Sequence, residues 1–159
     1  MNVELRKIDD GNRAGCIALK VAPEQAEYIA SNEASLNTAA ENPDVARPFA
    51  VYADGQLVGF AMFAFDEAND DPHDKYWLWR FMIDASQQGK GYGNAALREI
   101  IRYFKAHGAD EITLSTKESN AGALALYHKF GFRENGEENG GEIVLKLSVT
   151  ACAMERHLK

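Results

Sequence analysis

Gln87-Gln88-Gly89-Lys90-Gly91-Tyr92-Gly93 lies between two runs of different periodicity. Before it, Tyr76 to Ile83 is a nearly unbroken apolar run, the pattern of a central strand covered on both faces. After it, Asn94 to Ala106 reads as a helix. Its apolar residues Leu97, Ile100, Ile101 and Phe104 follow the i, i+3, i+4, i+7 spacing of one helix face. A glycine-rich turn that leads from a strand into a helix is an anion site. Glycines let the backbone approach closely, and the first N–H groups of a helix lack intrahelical partners. The helix dipole adds partial positive charge there, and Lys90 adds a full one. The stretch therefore predicts a bound phosphate group.

Two common phosphate loops are excluded. A magnesium-nucleotide loop needs Ser or Thr after Gly-Lys, but Lys90 is followed by Gly91. A dinucleotide fingerprint needs a third glycine at its sixth position, where this chain has Asn94. A tight turn with no ligand remains the plain alternative for the loop taken alone.

The rest of the chain supplies a context. Val3 to Ile8 alternates like an edge strand, and Gly15 to Lys20 suits a short helix. Pro23 opens a longer helical stretch with Tyr28, Ile29 and Leu36 facing inward, ended by Pro43. Phe49 to Ala53 and Gln56 to Phe65 are strands joined by Asp54-Gly55, a two-residue hairpin signal. Glu111 to Thr116 is a further strand. Asn120 caps the next helix, whose inner stripe is Ala123, Leu126, Tyr127 and Phe130, with Gly131 as its stop. Arg133 to Asn135 and Glu142 to Ser148 read as a closing strand pair. A hairpin followed by strand–helix–strand–helix predicts an α/β fold, a mixed sheet with helices on both faces. Residues 1–148 are expected to form one domain, with 149–159 as a tail of unassigned role.

Composition bounds the function. The 159 residues carry a net charge of −7, which disfavours a nucleic-acid partner and suits a cationic one. No apolar run approaches membrane-spanning length, and the first residues lack a signal-peptide core. Cys16 and Cys152 form neither a metal spacing nor a disulfide framework, and His107, His128 and His157 are scattered, so no metal site is expected. Reduced thiols and the missing leader point to the cytoplasm. The run Asp66, Glu67, Asp70, Asp71, Asp74 with His73 fits no metal loop and reads as a solvated turn. Arg80 stands alone in an apolar strand, which predicts an ion pair with an acid.

The loop Gln88-Gly89-Lys90-Gly91-Tyr92-Gly93 fits Gln/Arg-x-x-Gly-x-Gly/Ala. It is followed in order by Asn120, by Ala123-Leu124-Ala125-Leu126-Tyr127 and by Phe130-Gly131-Phe132. From about Val3 to about Leu147 the chain thus resembles the GNAT superfamily of acetyl-CoA-dependent N-acetyltransferases. That resemblance implies a central, mostly antiparallel mixed sheet. Its two parallel central strands, here Tyr76–Ile83 and Glu111–Thr116, splay apart around the pantetheine arm of acetyl-CoA. It assigns Met82, Ile83, Gln88, Gly89, Lys90, Gly91, Tyr92, Gly93, Asn94 and Asn120 to the acetyl-CoA site. Gln88 would orient the pyrophosphate, or else be a solvated loop residue, and Asn120 would either border the cofactor or serve as an N-cap alone. Tyr127 is the implied acid for the departing thiolate. On an apolar stripe a tyrosine also serves as a core residue with a satisfied hydroxyl, and both roles stay open.

The chemistry sets further demands. An alkyl ammonium of pKa about 10 leaves roughly one molecule in a few thousand neutral at pH 7. The proton must be removed, or the neutral form selected. The developing oxyanion needs a fixed donor, such as a strand N–H near Met82. Many members of the superfamily carry a Glu on the first splayed strand, but Trp77, Trp79, Arg80 and Met82 offer no carboxylate. A water relay or an acid from elsewhere, Glu33 or Glu142, would have to substitute. The stretches Ala30 to Leu36 and Tyr76 to Asp84 are similar to the bacterial spermine/spermidine acetyltransferase branch. A small cationic amine is therefore the expected partner, with Glu33, Trp77, Trp79 and Glu142 against its charges and methylenes. A homodimer is left open. A protein amine or an aminoglycoside is the rival acceptor. A catalytically silent acyl-CoA-binding module is the rival of another class.

Overall fold

The computed structural model describes residues 1–149; the tail expected from 149 onward, with Cys152 and His157, lies beyond Val149 outside the described residues. One seven-stranded sheet organises the chain in the order β1-β2-β3-β4-β5-β7-β6. The strands are β1 (Val3–Lys7), β2 (Ala46–Ala53), β3 (Gln56–Phe65), β4 (Tyr76–Ile83), β5 (Glu111–Thr116), β6 (Arg133–Asn139) and β7 (Glu142–Ser148). Helices α1 (Arg13–Ala18) and α2 (Asn32–Glu41) join Cys16 and Leu36 to Ala50, Phe60, Met62 and Met82 on one face. Helices α3 (Tyr92–Ala106) and α4 (Ala121–Lys129) lie on the other face.

Sequence chemistry explains the frame. Asp54 and Gly55 both take positive φ, 50° and 83°, as the β2–β3 hairpin turn requires. Pro48 sits inside β2, beyond the last β1 partner pair, Lys7 with Phe49, where an open edge tolerates a missing donor. The α3 stripe is fully buried: Leu97, Ile100, Ile101 and Phe104 are each at most 1% exposed. Each such side chain stabilises the fold by roughly 1.5–3 kcal/mol. Phe63, Phe65 and Phe104 form its aromatic heart, with ring centroids 4.8 and 4.9 Å apart.

Three sequence expectations change. The helical stretch from Pro23 is not continuous. It is a 3-10 turn at Pro23–Gln25 and then, after a break, α2. Ser31 accepts a hydrogen bond from the Ala34 N–H at 3.1 Å and restarts the helix there. Buried Asn32 then donates to the Cys16 carbonyl at 2.8 Å, which fixes the break against α1. The closing strand runs to Asn139, well past Asn135, although every residue of β6 is exposed. Backbone pairing to β7 holds it, with an interruption between Glu134 and Glu138. Finally, β4 is not covered on both faces. Only Leu78 and Met82 are buried, and Trp77, Trp79, Arg80 and Phe81 are half-buried.

The reason is a cleft beside β4. β4 and β5 are parallel neighbours but share a single register pair, Trp77 with Thr113. Beyond it the two strands diverge. On its other side β4 stays laddered to β3 up to Gly59 with Ile83. A Cβ on Gly59 would lie 2.5 Å from the Met82 carbonyl oxygen and 2.9 Å from the Ile83 Cδ1. Gly59→Ala should therefore push the end of β4 off β3. A destabilisation of about 1–3 kcal/mol is expected, read as a lower urea midpoint at unchanged slope.

Candidate active site

The diverging strands open a cavity of about 1240 Å³. At one end lies the glycine loop. Gly89 and Gly91 adopt φ of 78° and 85°, a left-handed conformation that side chains resist. Gly91 is the N-cap of α3, and no side chain caps that helix. The first intrahelical bond runs from the Ala95 N–H to the Gly91 carbonyl, so the N–H groups of Tyr92, Gly93 and Asn94 precede the helix's own ladder. All four of these residues line the cavity. The helix thus begins two residues earlier than its apolar stripe suggested, which places more of the loop in the first turn.

Polar side chains hold this loop in place. The Gln88 amide donates to the Ile83 carbonyl and to Gln25 Oε1, both at 2.9 Å. Gln88 therefore ties the loop to the end of β4, and its amide hydrogens are not available to a phosphate. Asp84, unmarked in the sequence reading, accepts from the Lys20 N–H at 2.8 Å and the Ser86 N–H at 3.2 Å. Burial works to raise the Asp84 carboxyl, but the Ser86 and Lys20 hydrogen bonds outweigh it and hold it below the usual range. An Asp ahead of Ala-Ser-Gln is a cap signal that would have found it. Asn94 accepts from Lys129 Nζ at 2.8 Å, which joins α3 to α4. Lys90 reaches back to Gln87 at 3.1 Å and lies outside the cavity lining.

The middle of the cavity is formed by Met82 and Ile83 on β4, by Leu114, Ser115 and Thr116 on β5, and by Asn120 and Tyr127 around α4. Past the Trp77–Thr113 pair, the facing edges of β4 and β5 have no strand partner, so their backbone groups are open to a ligand. Asn120 caps α4 through the Ala123 N–H at 3.4 Å and also borders the cavity. Tyr127 is half-buried, with its ring 5.6 Å from that of Phe132. Burial pushes its hydroxyl up, and no hydrogen bond contributes to the shift. The hydroxyl therefore stays protonated at neutral and mildly basic pH.

Trp77, Trp79 and Glu142 also line the cavity, Glu142 held by the Ser115 hydroxyl beyond the Thr116–Ile143 pair, while Glu33 lies exposed in the first turn of α2, outside it. The Asp66–Asp74 turn is more than a solvated connection. Asp66, Asn69 and Asp74 contribute to the wall, and Asp74 accepts from Trp77 Nε1 at 2.8 Å. The Phe65–Tyr76 pairing closes that turn against β4, which periodicity does not reveal. Glu27 and Tyr28 also line the cavity, with the Tyr28 hydroxyl donating to the Ser119 carbonyl beyond the end of β5. Arg80 also lines the cavity but makes no ion pair; the ion pairs of the described residues join other side chains. A β-bulge explains the departure. Met62 pairs with Arg80 and Phe63 with Leu78, which leaves Trp79 as an extra residue and turns Arg80 toward the same side. No cluster suited to a metal ion occurs among the described residues.

A sheet split between two parallel strands, with a glycine loop, carboxylates and aromatics around one cleft, is an architecture able to bring two substrates together. Residues 19–132 match the model of the Acetyltransferase (GNAT) family. The spermine/spermidine N(1)-acetyltransferase of Bacillus subtilis (strain 168) is 37% identical over 151 residues, which cover 92% of this chain and 99% of the relative. A ribosomal protein bS18-alanine N-acetyltransferase of Escherichia coli (strain K12) is 31% identical over 88 residues, 54% of each chain. Among solved structures, the aminoglycoside acetyltransferase AAC(6')-Ib in complex with coenzyme A superposes with a TM-score of 0.78. It is 19% identical, over 99% of this chain and 100% of that one. Spermidine N-acetyltransferase from Vibrio cholerae, in complex with CoA and spermine, gives 0.70 at 20% identity over 99% and 98%. This chain belongs to the GNAT acetyltransferase family and is an N-acetyltransferase.

Gly91→Val should strain the left-handed N-cap and fill the cradle before α3. Affinity for coenzyme A, measured by calorimetry, should fall at least about tenfold, equivalent to about 1.4 kcal/mol. The thermal midpoint without ligand should fall by a few degrees, because a β-branched residue resists a φ of 85°, so affinity is read well below that midpoint.

Proposed function

We propose that this chain transfers an acetyl group from acetyl-CoA to a primary amine of a polyamine such as spermidine or spermine. The observation that carries the reading is one cavity with two kinds of lining. Backbone N–H groups and glycines suit a diphosphate. The four carboxylates Glu27, Asp66, Asp74 and Glu142, with Tyr28, Trp77 and Trp79, suit a chain of ammonium groups and methylenes. The 37% identity to a spermine/spermidine acetyltransferase over nearly its whole length supports the same acceptor class. The reading takes residues 1–148 as one catalytic domain acting in the cytoplasm, alone or as a homodimer.

Roles follow from placement. The unpaired edge of β4 near Met82 and Ile83 holds the pantetheine arm and offers a donor for the oxyanion. The residues from Gly89 to Asn94 bind the diphosphate. Tyr127 supplies the proton for the departing thiolate; burial keeps its hydroxyl protonated until then and also makes it a weaker acid than a free tyrosine. Among the described residues its hydroxyl has no hydrogen-bond partner, which favours this role over that of a core tyrosine with a satisfied hydroxyl.

Tyr127→Phe should lower kcat by about 10²-fold while leaving coenzyme A affinity within about twofold. Unchanged turnover would exclude the acid role. In a thiol-release assay across spermidine, spermine, lysine, an aminoglycoside and a peptide, the two polyamines should give the highest kcat/KM. Preference for the aminoglycoside or the peptide would replace the acceptor, and silence with every amine would leave a binding module.

A further inference from the structure

Among the described side chains that line the cavity, Arg80 is the one cation, set against four carboxylates. It is half-buried, and its Nε is buried with no hydrogen-bond partner. One terminal nitrogen donates to the Trp79 carbonyl at 2.9 Å, and the guanidinium carbon lies 5.6 Å from the Trp79 ring centroid. A buried charge without an ionic partner is costly to keep. Its position along β4 is also particular. Arg80 lies three residues past Trp77, where β4 and β5 have already diverged. Asp66 and Asp74 lie at the opposite end of the strand, beside the Phe65–Tyr76 pair. The cavity therefore carries Arg80 at the mouth of the gap, opposed there by Glu142 beyond the Thr116–Ile143 pair, and the Asp66 and Asp74 carboxylates at its far end.

We infer that the fixed charge of Arg80 expels the proton from the acceptor's reacting nitrogen, so that a polyamine binds with that nitrogen neutral and its other ammonium groups toward Asp66 and Asp74. The inference rests on the amine acceptor proposed above and supplies what β4 lacks, a means of deprotonation without a carboxylate. A cation nearby disfavours a second cation. Each pKa unit by which the reacting amine falls makes the nucleophile about tenfold more abundant at neutral pH. Among the described residues, the other charged or titratable groups around this cavity are Glu142 at the start of β7, Tyr127 on α4, Tyr92 on α3, Glu27 and Tyr28 before α2, and Asp66 and Asp74 in the β3–β4 turn. Glu142 is the acid whose charge reaches Arg80, and it is held by the Ser115 hydroxyl at 2.7 Å. It can accept a hydrogen bond from the neutral amine without taking its proton. In the reaction, the ammonium loses one proton to solvent on binding. The nitrogen lone pair then attacks the thioester carbonyl carbon, the carbon–sulfur bond breaks, Tyr127 protonates the thiolate, and the second nitrogen proton restores the Tyr127 hydroxyl.

The native protein gives the first test. Spermidine is titrated into its coenzyme A complex at about pH 7 in buffers of different ionisation enthalpy, and the heats give the proton count. About one proton should be released per spermidine bound. Release of none overturns the inference, because a protein base would have retained the proton. The second test is kcat against pH for Arg80→Gln and Arg80→Lys. The acid limb should move up by about one pH unit in Arg80→Gln, with about tenfold loss at neutral pH recovered in mild base. Arg80→Lys should keep the native limb. Trifluoroethylamine, already neutral at pH 7, should lose little in Arg80→Gln. Equal loss for both amines at every pH would mark Arg80 as merely structural and refute the role. If polyamines are not substrates, the acceptor assignment fails separately, and the same measurements on whichever amine is accepted decide the role of Arg80. Silence with every amine removes both.

Discussion

A seven-stranded sheet with one broken seam is the constraint on which this molecule depends. β4 and β5 adjoin at a single parallel register pair, in the middle of the sheet, where continuous pairing would be expected. Unpaired backbone groups at the centre of a fold are costly unless water or a ligand meets them. The seam persists because each strand is fixed from its far side. β3 holds β4 through seven register pairs, and β7 holds β5 through six. The divergence is thus a property of two well-formed half-sheets. It opens the cavity without requiring any loop to be rigid by itself.

Local devices then set what the seam can bind. Gly59 lets β3 approach the Met82 carbonyl, Asp84 ties the end of β4 to Lys20, and Gln88 ties the following loop back to Ile83. Together they bring an uncapped helix start to the top of the gap. The bulge at Trp79 reverses the alternation of β4 halfway along. Tyr76, Leu78, Phe81 and Ile83 face the α3 side, whereas Trp79 and Met82 face the α1/α2 side. Without that extra residue, the strand could not present Trp77, Trp79 and Arg80 to the cavity and still bury Leu78 and Met82.

The parts of this arrangement carried by local patterns were legible in the sequence. The Asp54-Gly55 hairpin, the bounds of β4 and β5, the buried face of α3 and the glycine loop each follow from short-range sterics or periodicity. Features carried by tertiary contact were not. β6 contains no apolar residue, so its far end is visible only through its pairing with β7. The break before α2 depends on Asn32 reaching the Cys16 carbonyl. The Asp66–Asp74 turn reads as solvent-facing because nothing in its composition shows that it closes against β4. The bulge at Trp79 leaves no mark in an almost wholly apolar run, so neither the unpaired state of Arg80 nor its direction could be inferred.

The two halves of the site draw on different parts of the chain. The donor half is built from strand edges, positive-φ glycines and a helix start, all of which are main-chain features. Side chains can change widely around it while the geometry survives. Superposition at a TM-score of 0.78 with only 19% identity, over essentially the whole of both chains, is the behaviour such a construction allows. The acceptor half is built from side chains, and much of it comes from connections: Glu27 and Tyr28 before α2, Asp66 to Asp74 between β3 and β4, and Asn139 with Glu142 at the β6–β7 turn. Such segments vary without disturbing the sheet. The fold therefore constrains the donor more tightly than the acceptor. The acceptor must be argued from the charges and aromatics that these three connections bring to the gap.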